Sequence, residues 1–181
     1  QKTIQINPNY AGAYNNLGTV FTELGEYQKA LNFYQKTIQI NPNYAGAYNN
    51  LGVVFNELGE YKKALNSYQK AIQIEPNNLT SHWLSMNHFP IAYENLKELD
   101  FYRKRFEDGI KAINQLLDTQ SQYTKQQIID AMNSSTNFLL HYQGNNDLKL
   151  QIKYAKLIER LTQKIYPQFH QERTINKPVE F

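Results

Sequence analysis

The chain has 181 residues, 41% hydrophobic and 19% charged, with a formal charge of +3 and no cysteine. That length can bury a core in one or two domains, and the missing thiols exclude disulfides, thiolate metal sites and cysteine nucleophiles. Lys and Arg alternate with Glu and Asp, so nucleic-acid binding lacks its electrostatic footprint, and no apolar run reaches the roughly 18 to 20 residues of a membrane span. Residues 1–20 also lack the basic-then-apolar order of a signal peptide, and the expectation is a cytoplasmic protein.

Residues 1–8, Gln-Lys-Thr-Ile-Gln-Ile-Asn-Pro, match the sequence that recurs before Pro42, and no Met precedes them. The chain is therefore expected to begin inside a repeat of a longer protein. Pro8, Pro42 and Pro76 stand 34 residues apart. The two intervening copies differ at six positions: Thr19/Val53, Thr22/Asn56, Gln28/Lys62, Phe33/Ser67, Thr37/Ala71 and Asn41/Glu75. Identity at that level marks an internal repeat.

Each copy predicts two amphipathic helices. The first carries Tyr14, Leu17, Val20, Phe21 and Leu24 at three- and four-residue steps; the second carries Ala30, Leu31, Tyr34 and Ile38. Leu-Gly-Glu-Tyr separates them, with Gly25 and Gly59 as stops, because the left-handed backbone that ends a helix is cheapest for glycine. Pro42 and Pro76 close each hairpin, since proline disfavours helix in the residue before it.

Tyr48, Leu51, Gly52, Phe55, Ala64, Tyr68, Ala71 and Pro76 occupy the pattern of the tetratricopeptide repeat, which the chain resembles, and the first copy differs only in having Thr37 for the small alanine. The resemblance implies an all-α fold: stacked helical hairpins forming a superhelix, or α-solenoid, followed by further C-terminal helices. It also implies a concave surface lined by the first helix of each hairpin, able to hold a peptide or protein. The residues predicted to bind there are Asn15, Asn16, Thr19, Thr22 and Glu23 with Asn49, Asn50, Asn56 and Glu57; Val53 shares that face. Amide side chains both donate and accept, which suits a peptide backbone. Asn16 and Asn50 stand where O-linked N-acetylglucosamine transferase carries an asparagine ladder. The carboxylate clamp that holds acidic chaperone tails would need Lys at Asn15 and Asn49 and Asn at Thr19 and Val53, so that partner is disfavoured.

After Pro76 the pattern restarts at Leu79 and lapses, with Ser85 and Met86 replacing the Leu-Gly pair and Pro90 interrupting. The array is expected over 1–78, a degenerate repeat over 79–90, a helical joining region over 91–167 and a linker or tail over 168–181. Asn95-Leu-Lys-Glu98 reads as a capping box for a helix to about Leu117, with Arg103/Glu107 and Lys104/Asp108 as pairs on a solvated side. Further helices are expected at about Lys125 to Asn133 and, after the turn Gln143 to Asp147, at Leu148 to Tyr166, its stripe formed by Leu148, Ile152, Ala155, Ile158 or Glu159, Leu161 and Ile165.

The segments Phe89 to Asn95, Thr136 to Asp147 and Tyr166-Pro167 resemble the region joining repeats to catalytic domain in bacterial, often cyanobacterial, relatives of O-linked N-acetylglucosamine transferase (SPINDLY-like proteins). That resemblance implies a glycosyltransferase domain beyond Phe181 and no catalytic residue within the chain. His82, His88, His141 and His170 lack the spacing of a metal pair, and the glycines belong to turns and repeats, so no metal, cofactor or nucleotide site is expected. A peptide or protein partner is the leading expectation. Self-association through repeat stacking is the alternative.

Overall fold

The computed structural model describes residues 9–119, 123–135 and 147–169. Eight α-helices occur among them: α1 (Ala11–Glu23), α2 (Tyr27–Ile40), α3 (Ala45–Glu57), α4 (Tyr61–Ile74), α5 (Leu79–Asn87), α6 (Leu96–Thr119), α7 (Lys125–Ser134) and α8 (Leu148–Ile165). A short 3₁₀ turn, Pro167–Phe169, follows. No strand occurs among the described residues.

The turns between α1 and α2 and between α3 and α4 are fixed by glycine. Gly25 and Gly59 have φ of 72° and 73°. Each lies in a Schellman motif: Gly25 N–H donates to Thr22 O (3.0 Å) and Glu26 N–H to Phe21 O (2.8 Å), and Gly59 and Glu60 repeat this with Asn56 and Phe55. Orphan carbonyls are thereby satisfied and the chain reverses in two residues.

Within a hairpin the helices meet through a glycine and a tyrosine. A Cβ on Gly18 would lie 2.6 Å from Tyr34 Cδ1, and one on Gly52 2.6 Å from Tyr68 Cδ1, so these contacts admit only hydrogen at that point. Tyr34, Ala30, Tyr68 and Ala64 are buried. The third hairpin, α5–α6, reverses the arrangement. Met86 stands in the register of Gly52, and the small partner is Gly109 on α6, where an added Cβ would lie 2.7 Å from Met86 Cβ. The degenerate repeat thus keeps a close crossing by exchanging which helix supplies the small residue.

Hairpins stack through the first helix of the next unit. Leu51 and Val54 pack with Leu31 and Tyr34 of α2. The expected stripe of α1 is only partly inside: Val20 is 49% and Leu24 64% exposed, whereas Val54, the counterpart of Val20, is fully buried. Burial at this position requires a preceding helix, and none among the described residues lies against α1.

The C-terminal helices share a second core: Trp83 and Met86 of α5, Phe106, Ile110 and Ile113 of α6, Ile128 of α7, and Leu157 and Leu161 of α8. α7 packs on α5, and α8 on α6 and α7. The α6 N-terminus departs from a reciprocal capping box. Glu98 N–H donates to Asn95 Oδ1 (3.0 Å), but the Glu98 carboxylate accepts from Glu94 N–H at 2.7 Å. The expected solvated pairs hold for Lys104–Asp108 (2.9 Å) but not for Arg103, whose side chain is 16% exposed and pairs with Asp147 at the start of α8.

The α8 stripe agrees with the expected one at Ile158, Leu161 and Ile165 but departs from it in the first half of the helix. Leu150, Tyr154, Leu157, Leu161 and Ile165 face the core, while Leu148 and Ile152 are 64% and 46% exposed and Ala155 is exposed. Both faces of α8 carry apolar residues, so periodicity alone admitted two phases; contact with α6 and α7 selects one. The expected turn at Gln143, the tail beyond residue 169 and the segment before Asn9 lie outside the described residues.

Candidate peptide-binding groove

The first helices of the hairpins, α1, α3 and α5, are cross-linked by side-chain amides. Asn50 Nδ2 donates to Asn15 Oδ1 at 3.1 Å, joining α3 to α1. Asn49, only 6% exposed, donates from Nδ2 to Ser81 Oγ on α5 at 2.9 Å. The equivalent of Asn50 in the third unit is Leu84, which has no amide to offer, and Ser81 takes that part. Asn15, Asn49 and Asn50 therefore act as struts that set the helix spacing. Asn49 lies between helices rather than at the surface where the pattern expected it.

Thr19 and Thr22 also serve the interior of their hairpin. Thr22 Oγ1 lies 3.0 Å from Tyr34 OH and donates to Gly18 O at 2.9 Å, and Tyr34 OH reaches Thr19 Oγ1 at 3.5 Å. Asn16, Glu23 and Glu57 are exposed, and Asn56 is half-buried with a buried Oδ1 that has no hydrogen-bond partner. Of the nine expected residues, Asn16, Glu23, Asn56 and Glu57 retain polar groups uncommitted to the described fold. Asn15, Asn49 and Asn50 shape the surface from beneath.

Val53, Asn56 and Glu57 form one wall of a cleft of about 350 Å³, completed by Tyr68 of α4, Leu84 and Asn87 of α5, His88 and Phe89 just after it, and Ser134 and Ser135 at the end of α7. Trp83 fixes the far wall by donating from Nε1 to Ser135 O at 2.9 Å. His88 is 4% exposed and packs against the rings of Tyr61, Tyr68 and Tyr102. Burial, with the Arg105 guanidinium as a second cause, lowers its pKa to about 4 against a weaker opposing hydrogen bond to Tyr61. Burial, and then Glu57, pushes the Tyr68 phenol well above its ordinary value. Arg105 donates from Nη2 to His88 O and lies over the rings of Tyr102 and Phe89, outside the cleft lining. Its own pKa is lowered to about 10 by burial.

The cleft residues beyond α3 were not anticipated from the sequence. One signal was present: His88 stands where both regular copies have valine, Val20 and Val54, so a polar residue replaces an apolar one at a packed position. His82 behaves differently, its Nε2 lying 2.9 Å from Pro76 O. Among the described residues no group of three His, Asp, Glu or Cys is placed to hold a metal ion, and no helix is long and apolar enough to cross a membrane.

A family profile for the tetratricopeptide repeat matches residues 9–76. This segment is a tetratricopeptide-repeat array. Such repeats bind peptides or proteins and are generally non-catalytic scaffolds. No curated protein matches the sequence. Among solved structures, a crystal structure of MamA superposes with a TM-score of 0.55 at 26% identity, covering 66% of this chain and 66% of that one. This chain thus spans slightly less than two thirds of MamA's length. An O-GlcNAc transferase mutant from Thermobaculum terrenum superposes at 0.51 and 19% identity, covering 59% of this chain and 21% of that one. The second repeat domain of Spaghetti (RPAP3), bound to an HSP90 peptide, does so at 0.50 and 16% identity, covering 63% and 98%. The last two likenesses concern the fold.

Proposed function

We propose that the chain is an interaction module that holds a stretch of another polypeptide against the face formed by α1, α3 and α5. The observation that carries this reading is the rigid spacing of those helices by Asn50–Asn15 and Asn49–Ser81, which leaves Asn16, Glu23, Asn56 and Glu57 facing outward beside a cleft. A surface preset in this way loses little conformational entropy on binding. The peptide-bound repeat domain of Spaghetti is compatible with the reading through its fold. Its acidic ligand is not the one proposed for this chain, which has Asn15, Thr19, Asn49 and Val53 at the clamp positions.

In the longer protein the module recruits protein substrates to a glycosyltransferase domain following Phe181. This part rests on the joining segment's resemblance to SPINDLY-like proteins. It predicts that the gene continues past the codon for Phe181 into an α/β domain opening with a glycine-containing strand; a stop codon or an unrelated domain there would end it. The groove itself is tested by peptide-array binding. Asn16→Ala with Asn50→Ala should abolish capture, and unchanged capture would remove the groove assignment.

A second reading has its own observation. Val20 is exposed where its counterpart Val54 is buried against a neighbouring hairpin, so another copy of the chain could stack there. Light scattering across protein concentration separates the two: a monomer supports the binding module, and a concentration-dependent oligomer blocked by Val20→Glu supports assembly.

A further inference from the structure

The cleft between α3, α5 and the end of α7 has an unbalanced set of hydrogen-bonding groups. Four of its lining residues carry buried polar atoms without a partner: Asn56 Oδ1, Asn87 Oδ1, His88 Nδ1 and Ser135 Oγ. Asn87 and His88 are 6% and 4% exposed.

The polarity of two of these atoms follows from their other contacts. Asn87 Nδ2 meets Trp83 O at 3.2 Å; a carbonyl only accepts, so the amide orientation is fixed and Oδ1 is the free end. His88 Nε2 meets Tyr61 O at 2.9 Å and must be the protonated nitrogen. In a neutral imidazole the other nitrogen, Nδ1, is then an acceptor. The ring remains neutral through the physiological range because burial holds its pKa near 4. Asn56 Oδ1 adds a third acceptor, Glu57 adds a carboxylate at the lining, and Ser135 has the only hydroxyl among the four partnerless groups. The partnerless buried atoms are mainly acceptors, while the Tyr68 hydroxyl, Asn56 Nδ2 and the Ser135 hydroxyl are the donors of the lining.

Buried acceptors left without hydrogens are costly, and structures rarely keep several together. The complementary group is one that donates in several directions and carries positive charge. A lysine ammonium has three N–H donors and an arginine guanidinium five, with no acceptor on either. At about 350 Å³ the cleft lies at the small end of ligand-holding sites, which suits one side chain of a larger partner.

Resting on the polypeptide-binding reading above, we infer that this cleft is a specificity pocket for a Lys or Arg side chain of the bound polypeptide. Its acceptors are Asn56, Asn87 and His88, with Glu57 as counter-charge. Arg105 does not line the cleft, but its guanidinium acts on the His88 and Tyr68 side chains that do, so it opposes a basic guest and Glu57 has to outweigh it.

The test uses a random 12-residue peptide library displayed on phage and selected on the full chain. Selected peptides are then synthesised with a fluorescent label and measured by anisotropy. The inference expects a Lys or Arg at a constant position, whose replacement by isosteric, uncharged norleucine weakens binding on the order of tenfold or more. Glu57→Gln should weaken the parent peptide about fivefold and leave the norleucine peptide unaffected. Asn56→Asp should tighten the parent peptide. Both substitutions are conservative in shape, and circular dichroism melts confirm that the variants fold.

Binders without a basic residue, binders improved by Glu at that position, or equal effects of Glu57→Gln on both peptides would overturn the pocket. If those binders still depend on Asn16 and Asn50, the groove stands and the pocket alone falls. If no peptide binds, both fall together.

Discussion

Replacing Gly52 by alanine tests the idea that the repeat is closed by a glycine–tyrosine contact. In an ordinary helix interior Gly→Ala stabilises by roughly 0.5–1 kcal/mol, because alanine has less backbone freedom to lose. At Gly52 the added Cβ would lie 2.6 Å from Tyr68 Cδ1 and 2.8 Å from Cζ, inside any real carbon–carbon contact. Tyr68 is 3% exposed, so its ring cannot swing into solvent. Overpacking of this kind typically costs about 1–3 kcal/mol, which exceeds the propensity gain and leaves a net loss of about 1–2 kcal/mol. For a chain of this size, that lowers the melting temperature by about 2–8 °C. Urea titration followed by circular dichroism measures the change. Tyr68→Leu in the same molecule should reduce the cost of Gly52→Ala, appearing as a coupling energy of about 0.5 kcal/mol or more. A stabilised Gly52→Ala variant, or strict additivity with Tyr68→Leu, would refute the steric explanation.

Other substitutions examine separate parts of the account. Gly59→Ala forces alanine to φ near 73° in a turn where nothing crowds a side chain, so it should destabilise by about 1 kcal/mol through backbone strain alone. Asp147→Ala removes the α6–α8 pair that Asp147 makes with the mostly buried Arg103 and should cost about 1–3 kcal/mol in urea unfolding; no change would show that the pair is dispensable. His88 has a folded-state pKa below its ordinary 6.5, so its stabilising contribution is complete above pH 6.5. That contribution declines as pH falls toward 4, a loss on the order of 2–3 kcal/mol. His88→Gln should flatten the stability profile in that window, and an equally steep profile would exclude His88 as its source.

The regular part of the fold was legible because each local rule agreed with the next. Gly25 and Gly59 ended helices, Ala30 and Tyr34 packed inward, and the 34-residue spacing required neighbours to stack. The C-terminal half lacked that redundancy. Leu148 and Ile152 made as good a stripe for α8 as Leu150, Tyr154 and Leu157, and only contact with α6 and α7 distinguishes them. Arg103 had a plausible partner four residues away, but its pairing with Asp147 depends on how α8 docks.

The candidate groove was legible by face but not by role. Helical spacing placed Asn15, Asn16, Asn49 and Asn50 together. It could not show that Asn15, Asn49 and Asn50 tie helices to one another, because those bonds cross between repeats. The cleft draws Asn87, His88 and Ser135 from a lapsed repeat and a separate helix, so periodicity gave no reason to join them to Asn56. The polar character of His88 at a position that is valine in both regular copies was the one visible trace.

The most direct measurement of the central claim is backbone and side-chain amide NMR of the full chain titrated with a library-selected peptide. Shifts are expected to concentrate on α1, α3 and α5, strongest at Asn16, Asn56, Glu57 and Asn87. Shifts centred on α4 and α6, with those residues unmoved, would contradict it.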